Sequence, residues 1–173
     1  MDKSKIEQLK ELNYLLLNCR SVDEGLKLVT NKLKNIIEVD RVSIFIYSKS
    51  ANMLWTYLAD GIEKLIIPAD KGIVGYVVKN KTIKKVNDTS KEKLFYKEVD
   101  EMTGYETKNL LAVPLLDDND DVIGVVELIN KNEKFNQKDI NIAYLFSKYI
   151  STPLLNILKH RKLNVGEDDD YFI

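Results

Sequence analysis

The sequence predicts a single α+β domain: a mostly antiparallel sheet with amphipathic helices over its faces. Two pairs of strand patterns carry this prediction, 41–47 with 53–58 and 110–116 with 122–130, each joined by a short polar turn. Hairpins pair antiparallel strands, and the helical patterns before, between and after them must bury their apolar stripes on the sheet. A length of 173 residues with 45% hydrophobic content is enough for one full core.

Taken in order, Ile6, Leu9, Leu12, Leu16 and Cys19 recur at helical spacing, and Leu15 and Leu17 widen the stripe to two sides. Residues 1–20 therefore read as a helix that seeks a partner helix. Ser21 with Glu24 matches a capping box, and Val22, Leu26, Val29, Leu33, Ile36 and Ile37 form the apolar face of the next helix. The run RVSIFIY at 41–47 is β-branched or aromatic on both faces, as in a central strand, with Ser43 its small polar residue. The strand at 53–58 stops at Asp60-Gly61. Ile66 and Ile67 lead into Pro68-Ala69-Asp70-Lys71-Gly72, after which Ile73, Val74, Val77 and Val78 fit a short helix. The first amides of such a helix suit an anion such as phosphate, although many helices begin this way with nothing bound. Residues 82–86 form a short strand ended by Asn87-Asp88.

The stretch LFYKEVDEMTGYETKN at 94–109 reads as helical. Phe95, Val99 and Met102 form an apolar stripe, and Lys97, Glu98 and Glu101 a charged one. A third face carries Tyr96, Asp100 and Thr103, with Thr107 just past Gly104. This row of hydrogen-bonding groups either lines the pocket of a small polar ligand or simply faces water. After the second hairpin, a last helix spans about 137–158, with Pro153 predicted to kink it. The ending GEDDDYFI reads as an acidic, disordered tail.

Charge and composition exclude several classes. Lysine plus arginine number 26 against 27 acids, a net charge of -1, and no basic patch has interleaved aromatics, so nothing recruits nucleic acid. A single cysteine, Cys19, excludes an internal disulfide and a cysteine-rich zinc cage. No apolar run has the length of a membrane span, and the charged N-terminus is unlike a signal peptide, so a soluble, cytoplasmic protein is expected. His160, the only histidine, sits near the end of the last helix, leaving no serine or cysteine with a base nearby. Asp117, Asp118, Asp120 and Asp121 lack the glycine and closing glutamate of a calcium loop and read as a solvated turn. Glu127, by contrast, falls on the same side of its strand as Ile123, Val125 and Ile129. A carboxylate in that row needs a donor, from a ligand or from a structural lysine.

Three stretches together resemble a GAF domain, specifically the regulatory GAF domains of cyclic-nucleotide phosphodiesterases and related adenylyl cyclases. They are IPADKGIVGYV at 67–77, LFYKEVDEMTGYETKNLLAVPL at 94–115 and GVVELINKNEKFNQKD at 124–139. The last is similar to the family's NKFD signature, carried here by Asn130, Lys131, Phe135 and Asp139, with Ile140 where the family has a glutamate. The resemblance covers about 21–158 and implies a GAF domain over 21–160, while the two-sided helix at 1–20 is expected to dimerise and 161–173 to form the acidic tail. It also implies a central antiparallel sheet with the terminal helices packed on one face and a ligand enclosed on the other. Ser43, Asp60, Ile73, Val74, Tyr96, Asp100, Thr103, Thr107 and Glu127 are the implied contacts to a cyclic nucleotide, cAMP or cGMP. The amides of Ile73 and Val74 would face the phosphate. Asp60 and Glu127 would accept from base or ribose, and Thr103 and Thr107 would bond phosphate or sugar. Where binding members often stack an aromatic ring on the purine, this chain has Ala59.

The expected function is thus a non-catalytic, dimeric sensor domain, without cofactor, that signals through its terminal helices to an effector domain or partner. The alternative is a dimerisation module with a vestigial or different pocket. Some small GAF proteins reduce free methionine sulfoxide with pocket cysteines, a chemistry for which Cys19 alone is available. The signature is implied to act through a bridge from Lys131 to Asp139 outside the ligand shell, on the lid side of the fold.

Overall fold

The computed structural model describes residues 22–59 and 65–165, together with Glu7 and Tyr14. The expected dimerisation helix at 1–20, the capping residue Ser21, Asp60 and the ending GEDDDYFI lie outside the described residues, apart from Glu7 and Tyr14.

Helix α1 (Val22–Ile37) leads into β1 (Val39–Ser48) and β2 (Met53–Ala59), then a short β3 (Ile66–Pro68) and α2 (Gly72–Asn80). Strand β4 (Lys84–Val86), a 3-10 turn (Thr89–Lys91) and α3 (Lys97–Thr103) follow, then β5 (Leu110–Leu116), β6 (Val122–Lys131) and α4 (Gln137–Val165). The strands form one antiparallel sheet in the order β3-β2-β1-β6-β5-β4. Pairing of β1 with β6 joins the two hairpins into a single surface.

Period-2 alternation along β1 and β6 divides the core in two. Val42, Ile44, Val126 and Leu128 point to one side, where Leu26, Val29 and Leu33 of α1 and Phe146, Ile150 and Leu154 of α4 cover them. Each fully buried side chain of this size stabilises the fold by about 1.5–3 kcal/mol. On the opposite side Phe45, Val125 and Ile129 meet Ile73, Val74 and Val77 of α2, with Phe95, Tyr96 and Val99 packed more loosely. Among the described residues, no helix is long and apolar enough to cross a membrane.

Four details depart from the sequence expectations. Strand β3 was not anticipated as a strand, because three residues are too few to show a period; its pairing with β2 supplies the order. Only 97–103 of the stretch 94–109 are helical, because Gly104 ends the helix in the left-handed conformation at φ 65°. Met102 is then 67% exposed, and the expected stripe reduces to Phe95 and Val99. Ile123 is the extra residue where the β5–β6 register shifts, so it packs with the helix-side core and not beside Glu127. Helix α4 continues to Val165, past the expected end near 158 and through residues 161–165 of the expected tail, with Pro153 inside it.

Candidate ligand-binding pocket

The cavity lies on the sheet face opposite α1 and α4. Its floor is Phe45 of β1, Leu110 of β5, and Glu127 and Ile129 of β6. Its roof is the first turn of α2, Phe95 and Tyr96, then Val99 and Asp100 of α3, with Thr107 from the loop that follows. The free space is about 50 Å³. Ligand pockets usually hold about 300 Å³ or more, so the space present is a small part of what such a pocket offers.

The roof begins at Gly72, whose φ of +69° favours glycine, and a Cβ there would come within 3.1 Å of Tyr96 Cβ. That close approach sets Tyr96 against the start of α2. Lys71 caps α2 without a side-chain bond, and the first backbone bond of the turn runs from the Gly75 amide to the Lys71 carbonyl. The amides of Gly72, Ile73 and Val74 are therefore left to whatever enters the pocket.

Asp100 and Glu127 present two carboxyls to one cavity in different states of engagement. Asp100 accepts the Thr107 amide at 2.6 Å and the Thr107 hydroxyl at 2.7 Å. Thr107 is also held from behind, since the Thr89 hydroxyl donates to its carbonyl at 2.6 Å. Glu127 has no hydrogen bond or ion pair among the described residues. Burial pushes its carboxyl up to about 7, and the Asp100 carboxylate adds to the rise. Neither a structural lysine nor any other donor of the described residues answers it.

Six of the ten residues expected at the site line the cavity: Ile73, Val74, Tyr96, Asp100, Thr107 and Glu127. Ser43 is 2% exposed and stands opposite Glu127 in the β1–β6 register, beside the floor and not in the cavity wall. Thr103 turns its hydroxyl into its own helix, donating to the Val99 carbonyl at 2.8 Å, and does not reach the cavity. The Ala59 backbone pairs with Ser43, and Asp60 lies outside the described residues.

The signature residues sit behind the pocket. Asn130 accepts the Lys108 amide at 2.7 Å and donates to the Glu106 carbonyl at 2.8 Å and the Tyr105 hydroxyl at 3.0 Å, bracing the loop that carries Thr107. Phe135 fills the helix-side core and its amide donates to Asn87 at 2.8 Å. Lys131 Nζ lies 2.9 Å from Asp139 Oδ1 and donates to the Ile37 carbonyl at 2.9 Å, tying β6 to α4 and the end of α1. That pair belongs to the helix face and not to the lid side, because Lys131 ends its strand beyond the cavity. Ile140 packs partly buried against the helix-side core, where a glutamate would be desolvated.

Two features escaped sequence reasoning. Arg41, two residues from Ser43 on the pocket side of β1, lies 3.5 Å over the Tyr105 ring, and its buried Nη1 has no partner. The strand spacing to Ser43 was the available signal. Thr89 was hidden in a polar turn, and its bond to Thr107 spans 18 residues. In the acidic turn, Asp117 accepts the amides of Asn119 and Asp121 at 2.9 Å each, so its carboxylate is used by the hairpin itself.

Residues 21–154 match the GAF domain family. The chain is 28% identical over 173 aligned positions to the rod cGMP-specific 3',5'-cyclic phosphodiesterase subunit alpha of Mus musculus, a match covering 87% of this chain and 20% of that protein. The chain thus spans about a fifth of the length of this relative. Among solved structures, the GAF domain of a phosphoenolpyruvate-protein phosphotransferase from Coxiella burnetii superposes with a TM-score of 0.81 at 14% identity, over 91% of this chain and 96% of that one. A free methionine-R-sulfoxide reductase from Neisseria meningitidis, solved with its substrate, gives 0.74 at 16% identity, over 90% and 92%. Likeness at such identities speaks for the fold alone, whereas the family match covers most of the chain: this protein belongs to the GAF domain family.

Proposed function

We propose that this chain is a non-catalytic sensor domain whose pocket binds a cyclic purine nucleotide, cAMP or cGMP. The observation that carries the reading is the pairing of uncapped amides at Gly72, Ile73 and Val74 with a partnerless Glu127 in one cavity. An anion meets the amides, and a donor-bearing group meets the carboxyl. The cyclic-nucleotide phosphodiesterase relative supports this choice of ligand. Because the cavity holds about 50 Å³, binding requires the roof of α3 and its flanking loop to lift and reclose. Strand β6 then relays the change. It carries Glu127 on the pocket face, Val126 and Leu128 against α1 and α4, and Lys131 bonded to both helices. Output passes through the terminal helices of a homodimer to an effector domain or partner protein.

The small cavity favours a second reading, a dimerisation module whose pocket stays shut. Reduction of methionine sulfoxide is disfavoured, because that chemistry uses pocket cysteines and Cys19 is the chain's only cysteine. Native mass spectrometry followed by calorimetric titration with cAMP and cGMP separates the readings. Saturable binding of either supports the sensor; no binding at high micromolar nucleotide, with nothing co-purifying, supports the module.

A further inference from the structure

We propose that the groove between α4 and the β4–β5 edge of the sheet is a docking site for residues 166–173, GEDDDYFI, of a second copy of this chain. The docking is independent of what fills the pocket on the other face of the sheet.

The groove holds about 230 Å³ of free space, more than the pocket's 50 Å³. Ile83, Pro114 and Leu116 line it from the sheet, and Tyr144, 47% exposed, lines it from α4. Ser147 turns its hydroxyl into its own helix, donating to the Tyr144 carbonyl at 2.8 Å, so it offers the groove little polarity. An open aromatic wall beside apolar sheet residues is surface that gains by being covered.

Cations border this apolar strip. Lys148 Nζ lies 5.6 Å from the centre of the Tyr144 ring and has no ion pair among the described residues. Lys85 is exposed and shares the side of Ile83, because its neighbours Lys84 and Val86 face the pocket-side layer. Lys81 also lines the groove, but its charge is spent: it donates to the Asp120 carbonyl at 2.7 Å and lies 3.3 Å from Asp121. Those acids repel negative charge at the Lys81 end, so an anionic occupant lies toward Lys85 and Lys148. The fitting occupant is therefore a run of acids next to large apolar side chains. Glu167, Asp168, Asp169 and Asp170 are such a run, followed directly by Tyr171, Phe172 and Ile173.

Reach decides which copy supplies the segment. Helix α4 runs on from Lys148 to Val165, a rise of about 26 Å at about 1.5 Å per residue. Eight residues leaving Val165 span at most about 27 Å when fully extended. Turned back along its own helix, the segment would only just come level with Lys148, with nothing left to cross into the groove, and Tyr144 lies a further turn away. Two α4 helices lying antiparallel and crossing near residue 155 instead bring the Val165 end of one copy level with the groove of the other. Such seating clamps the helix that Lys131 and Asp139 tie to β6.

The test is carbodiimide cross-linking of the full chain, which joins amines only to carboxylates in direct contact. Isotopically labelled and unlabelled protein are mixed unfolded, refolded together, cross-linked and read by mass spectrometry. Lys148 and Lys85 are expected to join the carboxylates of 167–170, with labelled-to-unlabelled pairs as frequent as same-label pairs. Lys138, exposed on α4 but outside the groove, should join them at least about fivefold less. Tyr144→Ala, which removes the exposed wall and keeps every lysine, and Phe172→Ala should each lower the Lys148 yield at least about fivefold. Pairs of one label only would place the segment on its own chain and overturn the proposal. Yields at Lys148 no higher than at Lys138, or unmoved by both substitutions, would show charge attraction without seating and overturn it too. So would the absence of any such cross-link.

Discussion

Both oxygens of the Asp100 carboxylate are taken by a single residue, Thr107, whose amide and hydroxyl lie 2.6 and 2.7 Å away. The bond pair closes a seven-residue span across the left-handed Gly104 and fastens the end of α3 to the loop entering β5. Hydrogen bonds to a charged group contribute about 1.5–3 kcal/mol each, and the partial exposure of Asp100 places the pair at the lower end. Asp100→Ala, which removes both bonds, is therefore expected to lower stability by about 3 kcal/mol. Amide exchange at 105–109 should quicken and nucleotide binding weaken through the loosened roof. Thr103→Ala, which removes only a bond back to Val99, should do far less. Hydrogen exchange with urea unfolding checks this; equal effects from the two variants would show that the Asp100 bonds do not organise the roof.

A second expectation concerns Gly72. Alanine there would meet two costs, a φ of +69° and a Cβ 3.1 Å from that of Tyr96. Gly104 is a natural control, with a similar φ of +65° and nothing within 4 Å of an added Cβ. Gly104→Ala should cost about 1 kcal/mol from backbone strain alone, and Gly72→Ala about 1 kcal/mol more, with Tyr96 displaced. Urea midpoints for the two variants measure the difference. If they are equal, Tyr96 does not press on the start of α2.

The titration of Glu127 makes stability depend on pH in an unusual direction. Its folded carboxyl is raised from the ordinary value of 4.5 to about 7, so between those values the folded chain holds a proton that the unfolded chain has lost. Stability falls with pH wherever the folded state binds more protons. The contribution is fully present below about pH 4.5 and lost as pH rises through about 7, to a limit of about 3 kcal/mol. Glu127→Gln abolishes ionisation, so its advantage over the wild type should grow from pH 5 to pH 8, on the order of that amount. Chemical denaturation of both proteins across this range gives the answer, and parallel curves would place the Glu127 titration outside the neutral range.

Hairpins and long helices were legible because their periods repeat. Strand β1 is apolar and buried on both faces over 42–46, and that two-faced hydrophobicity matches the two cores that flank it. Features that rest on one or two residues were not. Nothing periodic marks β3, and a helix of seven residues has too few turns to distinguish a packed Val99 from an exposed Met102. The site was legible as a list and not as chemistry. The resemblance to GAF domains placed Asp100, Thr107 and Glu127 in one pocket, but which carboxyl was engaged depended on a fold back through Gly104. Arg41 was overlooked because an arginine opening a strand looks like any solvated edge residue until its partnerless Nη1 is found buried beside Tyr105.

The pair Lys131 and Asp139 links both ends of the helix layer to the strand that floors the pocket. Their side chains are 11% and 5% exposed, so solvent screens the 2.9 Å contact little. Each also holds a neighbour: Lys131 the Ile37 carbonyl that closes α1, Asp139 the Asn136 amide at the start of α4. Removing one partner leaves the other charge buried and uncompensated, at about 3–5 kcal/mol. Lys131→Met and Asp139→Asn should each approach that cost, and the double variant should cost clearly less than their sum. A coupling energy of about 2 kcal/mol is expected from the cycle, nearly unchanged by added salt. A coupling below about 0.3 kcal/mol would mean the charges act independently, and β6 would then lose its polar connection to the terminal helices. Nucleotide affinity in Lys131→Met carries the argument further. If β6 relays occupancy to the helices, loosening its far end should change affinity even though Lys131 touches no part of the cavity wall.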